Sequence, residues 1–299
     1  MYTFVPWVLS ALSIATSVVA SPLAVPVANS TSPVIDVVTG ITSALFDDFI
    51  LYTKYCSASY RENCARPVGR ALFNEPGHIT GFIARDDGRL EIVVTFRGTH
   101  SVDDALTVGQ LALTPFISRG INETFSVHTG FLNSYNGVAD DVIRIVKEQL
   151  VAHPGYRIIV TGHSLGGGVA AIAAPSLRVA LGDAVPLKLY TFGQPRTGDP
   201  SYATYMEDLL GEQNIHRSVH TTDGIPGFIF PSLGYAHFAT EYWQYSDPIP
   251  FLLARERTIK KCVGGEDPAC SAKLTTFALS SVHWTYYGQE ISSDPTVCL

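Results

Sequence analysis

Residues 156–166 constrain what this chain can fold into more than any other segment. Tyr156-Arg157-Ile158-Ile159-Val160 is short, apolar and β-branched, the composition of a buried strand. Gly162-His163-Ser164-Leu165-Gly166 follows at once, and residues 165–180, rich in Gly and then in Ala, Leu and Val, read as a helix. A strand that becomes a helix within so few residues must turn sharply, and glycine is the residue that lets backbone approach backbone. A serine at the apex of such a turn is lifted clear of the sheet.

The rest of the chain alternates in the same way. Residues 35–61 read as helical, and the runs 80–85 and 90–97 flank Asp86-Asp87-Gly88, a hairpin signal. Residues 131–152 place Val138, Val142, Ile145, Val146 and Leu150 on one face of an amphipathic helix. Residues 187–192 and 215–221 read as two further strands. The pattern predicts an α/β fold with a mostly parallel central sheet flanked by helices, in a single domain without repeats.

Composition narrows the function. Of 299 residues, 46% are apolar, enough for a large core, whereas only 16% are charged. The net charge is −7 and there is no block of Lys or Arg, which argues against nucleic acid or anionic membranes as partners. No phosphate-cradling glycine loop, H-E-x-x-H or C-x-x-C pair occurs, so no cofactor and no metal is expected. Residues 1–20 are largely apolar and end in Val18-Val19-Ala20, as an export signal does. Residues 21–33, with three prolines, read as a flexible leader, which leaves 34–299 as the structured domain. A secreted, extracellular and monomeric protein with no integral membrane segment in its mature part is expected. Export would also give meaning to the sequons at Asn29 and Asn122.

Five cysteines suit an oxidising compartment. Cys262 and Cys270 are close enough to staple a local loop. Cys56 could join Cys298 and leave Cys64 over, or join Cys64 and leave Cys298 free.

A strand, G-x-S-x-G and a helix together form a nucleophile elbow, which makes Ser164 the candidate nucleophile. Such a serine needs a base within hydrogen-bond reach and a carboxylate that orients the base. Asp223 follows a strand-like run and opens the loop Asp223-Gly224-Ile225-Pro226, at the carboxyl end of a strand where α/β sites lie. Of the histidines after it, His283 is placed as the base and His237 as a structural residue. His163 reads as packing and hydrogen bonding. The oxyanion requires two preset N–H donors, assigned to Leu165 and to Thr99 at the end of Val93-Val94-Thr95-Phe96-Arg97-Gly98-Thr99.

These motifs come in order with others: Val127-His128-Thr129-Gly130-Phe131, Thr191-Phe192-Gly193-Gln194-Pro195-Arg196, Gly234-Tyr235-Ala236-His237 with Glu241-Tyr242-Trp243, and Tyr286-Tyr287-Gly288. Over nearly the whole expected mature chain the sequence resembles the fungal class 3 lipases, which include triacylglycerol lipases and type A feruloyl esterases. The resemblance implies an α/β-hydrolase fold, the triad Ser164, Asp223 and His283, and an oxyanion hole from Thr99 and Leu165. It further implies Cys56–Cys298 and Cys262–Cys270 bridges with Cys64 free.

In that family the segment after Thr99 decides the substrate. Here Val102, Ala105 and Leu106 share one helical face and Leu111 extends it, as in a lid over an acyl site. The feruloyl esterases carry a tyrosine where this chain has Leu111, which cannot donate to a phenol. Ile225 and Phe228, with Ile229, Phe230 and Leu233, offer apolar area for an acyl chain, worth about 0.8 kcal/mol per buried methylene. The expectation is a lipase acting on a lipid or ester substrate at an oil–water interface. Feruloyl esterase is the alternative, and a non-catalytic binding protein of the same fold is a remote third reading.

Overall fold

The computed structural model describes residues 40–60, 71–74, 80–98, 111–248, 255–274 and 279–291. Helix α1 (Ser43–Ser59) is followed by strands β1 (Ala71–Asn74), β2 (Thr80–Asp86) and β3 (Glu91–Phe96). A separate hairpin of β4 (Leu113–Ser118) and β5 (Ile121–His128) leads into helices α2 (Thr129–Asn136) and α3 (Ala139–Ala152). Then come β6 (Arg157–His163), α4 (Leu165–Leu181), β7 (Leu187–Phe192), α5 (Pro200–Leu210) and β8 (Ile215–His220). The one-turn helix α6 (Ile225–Phe228), β9 (Glu241–Gln244), β10 (Ile259–Lys261), β11 (Thr285–Tyr286) and β12 (Gln289–Glu290) complete the order.

Eight strands form the central sheet in the order β1-β2-β3-β6-β7-β8-β9-β10. From β3 to β9 every neighbouring pair is parallel, and the antiparallel pairs lie at the two edges. This is the mostly parallel sheet expected of an α/β-hydrolase, and all described residues belong to one compact unit, Val38–Leu299.

The period of two along a strand explains why both faces are covered. Ile92, Val94, Ile158, Val160 and Leu189 point into a core shared with α2, α3, α4 and α5. Their neighbours Val93, Ile159, Tyr190 and Phe192 face the opposite side, against Phe46, Phe49, Tyr52 and Cys56 of α1 and Tyr286 and Tyr287. Helix α1 starts at Thr42, whose hydroxyl accepts from the Leu45 N–H, and buries its 46, 49, 53 and 56 positions. Helix α4 is apolar all round and is buried from Gly166 to Arg178, between the sheet and its neighbouring helices.

Two sequence expectations need correction. The helix read over 131–152 is two helices, because Gly137 and Val138 interrupt it; His128 caps the first by accepting the Phe131 N–H at 3.2 Å. The β4–β5 hairpin is not assigned from the sequence; it carries no clean alternation, since Pro115 and a register shift after it break the pattern. The Cys56–Cys298 bridge is not formed: Cys56 is a buried free thiol 3.3 Å from the Thr161 hydroxyl. Cys298 and Cys64 lie outside the described residues. The Cys262–Cys270 bridge is present and closes a loop that Ser271 ties to Glu241.

Candidate active site

The elbow is built by close approach. A Cβ on Gly162 would stand 2.1 Å from the Gly166 carbonyl oxygen, so strand and helix can cross only with glycine there. Ser164 occupies the apex with φ 59 and ψ −129, a conformation an L-residue holds only when its surroundings force it. Its N–H is anchored to the Phe192 carbonyl at 2.9 Å, which ties the apex to the end of β7. Leu165 opens α4, so its N–H is one of the first-turn donors that the helix itself leaves unused. Thr99, Val102, Ala105 and Leu106 lie outside the described residues. Gly98, immediately before Thr99, does lie against the elbow: a Cβ there would be 3.2 Å from Ser164 Cβ.

Asp223 sits just past β8, its N–H bonded to the His220 carbonyl at 2.8 Å. Its Oδ1 accepts the Ile225 N–H at 3.0 Å, while its Oδ2 accepts from His283 Nδ1 at 2.8 Å and from the Tyr286 hydroxyl at 2.5 Å. Burial alone would raise this carboxyl, but His283 and the three donated hydrogen bonds outweigh it and hold it below the usual carboxylate range. His283 is wholly buried, and its Nε2 has no hydrogen-bond partner among the described residues, Ser164 included. Such catalytic contacts commonly tighten only when substrate binds.

Two contacts bring the elbow and the Asp–His pair together. Gly193 follows the carbonyl that anchors Ser164, and a Cβ on it would meet Asp223 Oδ2, His283 Cε1 and Tyr286 Oη at 2.8, 2.9 and 2.9 Å. His163, the residue before Ser164, lies with its ring centroid 4.4 Å from that of His283 and bonds the His283 carbonyl through Nε2 at 2.7 Å. Burial first, and the neighbouring His283 second, push the His163 pKa well below the ordinary value. The ring is therefore neutral: Nε2 donates to the carbonyl and Nδ1 accepts from the Tyr60 hydroxyl at 2.8 Å.

A buried carboxylate–imidazole pair docked on a strained serine turn is the equipment of acyl transfer, and known proteins share this sequence pattern and fold. The Lipase (class 3) family model matches residues 93–232. Secreted mono- and diacylglycerol lipase A of Penicillium cyclopium is 30% identical over 227 residues, covering 68% of this chain and 72% of its own. The chain belongs to the class 3 lipase family. Secreted mono- and diacylglycerol lipase 1 of Fusarium solani is 33% identical over 226 residues, covering 74% of this chain and 63% of its own. Among solved structures, the lipase of Rhizopus microsporus var. chinensis superposes with a TM-score of 0.74 at 30% identity, covering 87% of this chain and 91% of that one. This class 3 lipase is thus a carboxylic ester hydrolase of the acylglycerol type.

The remaining expected site residues separate into two groups. Leu111 is half-buried on the main core, and its carbonyl accepts the Tyr235 hydroxyl at 2.9 Å. Ile225 is buried with Phe228 packed on it, and Ile229 belongs to the core itself. Phe230 and Leu233 are 42% and 50% exposed, so the apolar surface open to a lipid is theirs rather than that of Ile229. A cavity of about 190 Å³ beside Asp223 has a mixed wall, with Arg196, Glu241, Glu266 and His237 on it as well as Phe230 and Leu274. His237 bonds the Pro226 carbonyl at 3.0 Å and stays outside the Asp223–His283 pair. Tyr60, Gly193, His220 and the role of Tyr286 escape sequence reasoning. Only Gly193 and Tyr286 lie within the motifs quoted above, and neither shows there what it touches.

Proposed function

We propose that this lipase is a secreted hydrolase of acylglycerols in which Ser164, Asp223 and His283 act as one triad. The observation that carries the reading is the buried Asp223–His283 hydrogen bond set beside the strained Ser164 turn. The Ser164 hydroxyl attacks the ester carbonyl carbon while His283 Nε2 takes its proton, and Asp223 keeps the imidazole oriented through Nδ1–H. The N–H groups of Leu165 and Thr99 hold the oxyanion. The carbon–oxygen bond to the alcohol then breaks, and the departing oxygen takes the proton from Nε2. Water repeats the sequence: His283 accepts its proton, the oxygen adds to the acyl carbon, and Ser164 leaves with that proton restored, releasing the fatty acid.

The relatives named as secreted mono- and diacylglycerol lipases support both the substrate class and export through residues 1–20. No helix among the described residues is long and apolar enough to cross a membrane. Leu111 in place of a phenol-binding tyrosine favours acyl chains over ferulate.

The test is direct. Ser164→Ala and His283→Ala should each lose nearly all turnover, near a millionfold for a triad acting as a unit, while His237→Ala keeps it. Fluorophosphonate should label the wild type and not Ser164→Ala. A tenth of the wild-type rate in Ser164→Ala would reject the mechanism. Faster turnover of methyl ferulate than of octanoate esters would reverse the choice of substrate.

A further inference from the structure

The segment that carries His283 is held by other histidines. His163 fixes the His283 carbonyl from one side, and His220 Nδ1 stands 3.0 Å from the carbonyl of Val282, the residue before it. The second nitrogen of His220, Nε2, is 3.0 Å from Asp247 Oδ1. Carbonyl and carboxylate oxygens only accept, so this geometry fits a ring with hydrogen on both nitrogens. Asp247 Oδ1 also receives the Gln244 amide at 3.3 Å, and the oxygen of that amide accepts the Tyr287 N–H at 3.1 Å.

These contacts matter because, among the described residues, β11 pairs with β12 and not with the central sheet, so side chains tie the segment to the sheet. His220 is the residue that serves both halves of the pair. Its carbonyl receives the Asp223 N–H, and its ring reaches the backbone beside His283. The ring is buried, whereas the Asp247 side chain is 67% exposed, so the carboxylate orients the imidazole from the solvent side.

We infer that His220 is a positioning residue for ester hydrolysis: Asp247 orients its ring, and its Nδ1–H fixes Val282 so that His283 Nε2 meets the serine. The inference rests on Ser164 and His283 being nucleophile and base. It makes Asp247–His220 a second carboxylate–imidazole pair, acting on the first through one backbone carbonyl.

The experiment compares His220→Ala, His220→Asn and Asp247→Ala with wild type on p-nitrophenyl butyrate. The rate is expressed per active site titrated to completion with a phosphonate, so misfolded protein is not counted. His220→Ala should lower kcat about ten- to a hundredfold, the scale of an ångström-sized misplacement, with KM little changed. The asparagine amide places an N–H near the lost Nδ1–H, so His220→Asn should recover most of the loss. Asp247→Ala should show a smaller fall in kcat. A His220→Ala enzyme with wild-type kcat per site, or an Asn variant as slow as the Ala one, overturns the inference. Should His220→Ala not fold, wild-type kcat in Asp247→Ala overturns it. His283→Ala runs alongside: activity surviving there refutes the base assignment itself, and the role of His220 with it.

Discussion

Gly193→Ala is the perturbation whose effect can be worked most directly from the structure. Gly193 has φ 60, and an added Cβ would lie 2.8 Å from Asp223 Oδ2, 2.9 Å from His283 Cε1 and 2.9 Å from Tyr286 Oη. Left-handed backbone costs an alanine about 1–2 kcal/mol. Ordinary contact begins near 3.4 Å, so the carboxylate, the imidazole and the phenol must retreat by about half an ångström. A misplacement of about 1 Å can cost about a hundredfold in rate, so about tenfold is expected here. In a domain of this size each kcal/mol lowers Tm by about 2–4 °C. The assay is kcat per titrated site on p-nitrophenyl butyrate, with Tm read beside it. One of the three obstructing atoms is the Tyr286 hydroxyl. Gly193→Ala combined with Tyr286→Phe should therefore lose less than the product of the two single losses. Wild-type kcat in Gly193→Ala would refute the claim that this contact sets the Asp–His geometry.

Burial pushes the His128 pKa down to about 4 and that of His216 to about 3, and holds His163 and His237 well below 6.5. Below pH 6.5 the unfolded chain takes up protons that these folded histidines refuse. Stability should therefore fall from pH 6.5 towards 4, by up to about 1.4 kcal/mol per pH unit for each histidine; equal urea midpoints at pH 7 and pH 5 would contradict this. Arg217 and Glu241 form a fully buried ion pair between β8 and β9, and Glu241 also accepts from Ser271. Glu241→Ala strands the guanidinium and should cost about 3–5 kcal/mol in denaturant unfolding; a loss under about 1 kcal/mol would show that the charge finds another partner. Burial raises the Cys56 thiol to about 12, so Ellman's reagent should miss it in the native chain and find it after unfolding without reductant. A Cys56–Cys298 peptide in a non-reduced digest would refute that assignment.

What the sequence made legible was local. The elbow, the β2–β3 hairpin and the buried helix after Ser164 each follow from a pattern within some twenty residues, and the structure has all of them. Chain order pointed to Asp223 and His283, which the fold brings to 2.8 Å across sixty residues. Other features depend on partners that no local pattern contains. Cys56 could be read as a bridging cysteine because spacing says nothing of direction, and α1 turns its thiol onto Thr161. The break after Asn136 sits in a run whose apolar period continues through it, so periodicity passes over the interruption. Tyr60, Gly193 and His220 act mostly through residues about 30 to 100 positions away, and only the folded sheet reveals them.

The order in which the pieces occur along the chain has a consequence for how this protein comes to life. Ser164 is set by β6, α4 and β7 with the backbone of Gly98 against it, whereas His283 belongs to a segment that follows every strand of the central sheet and seats beside α1, where Tyr287 stacks on Phe49. A partly folded molecule with its sheet complete would hold a poised serine but no base. Competence therefore arrives in one step, with the docking of that late segment between the first helix and the sheet. Loosening this seat anywhere, even at Phe49 under the Tyr287 ring, should silence the enzyme before it unfolds it.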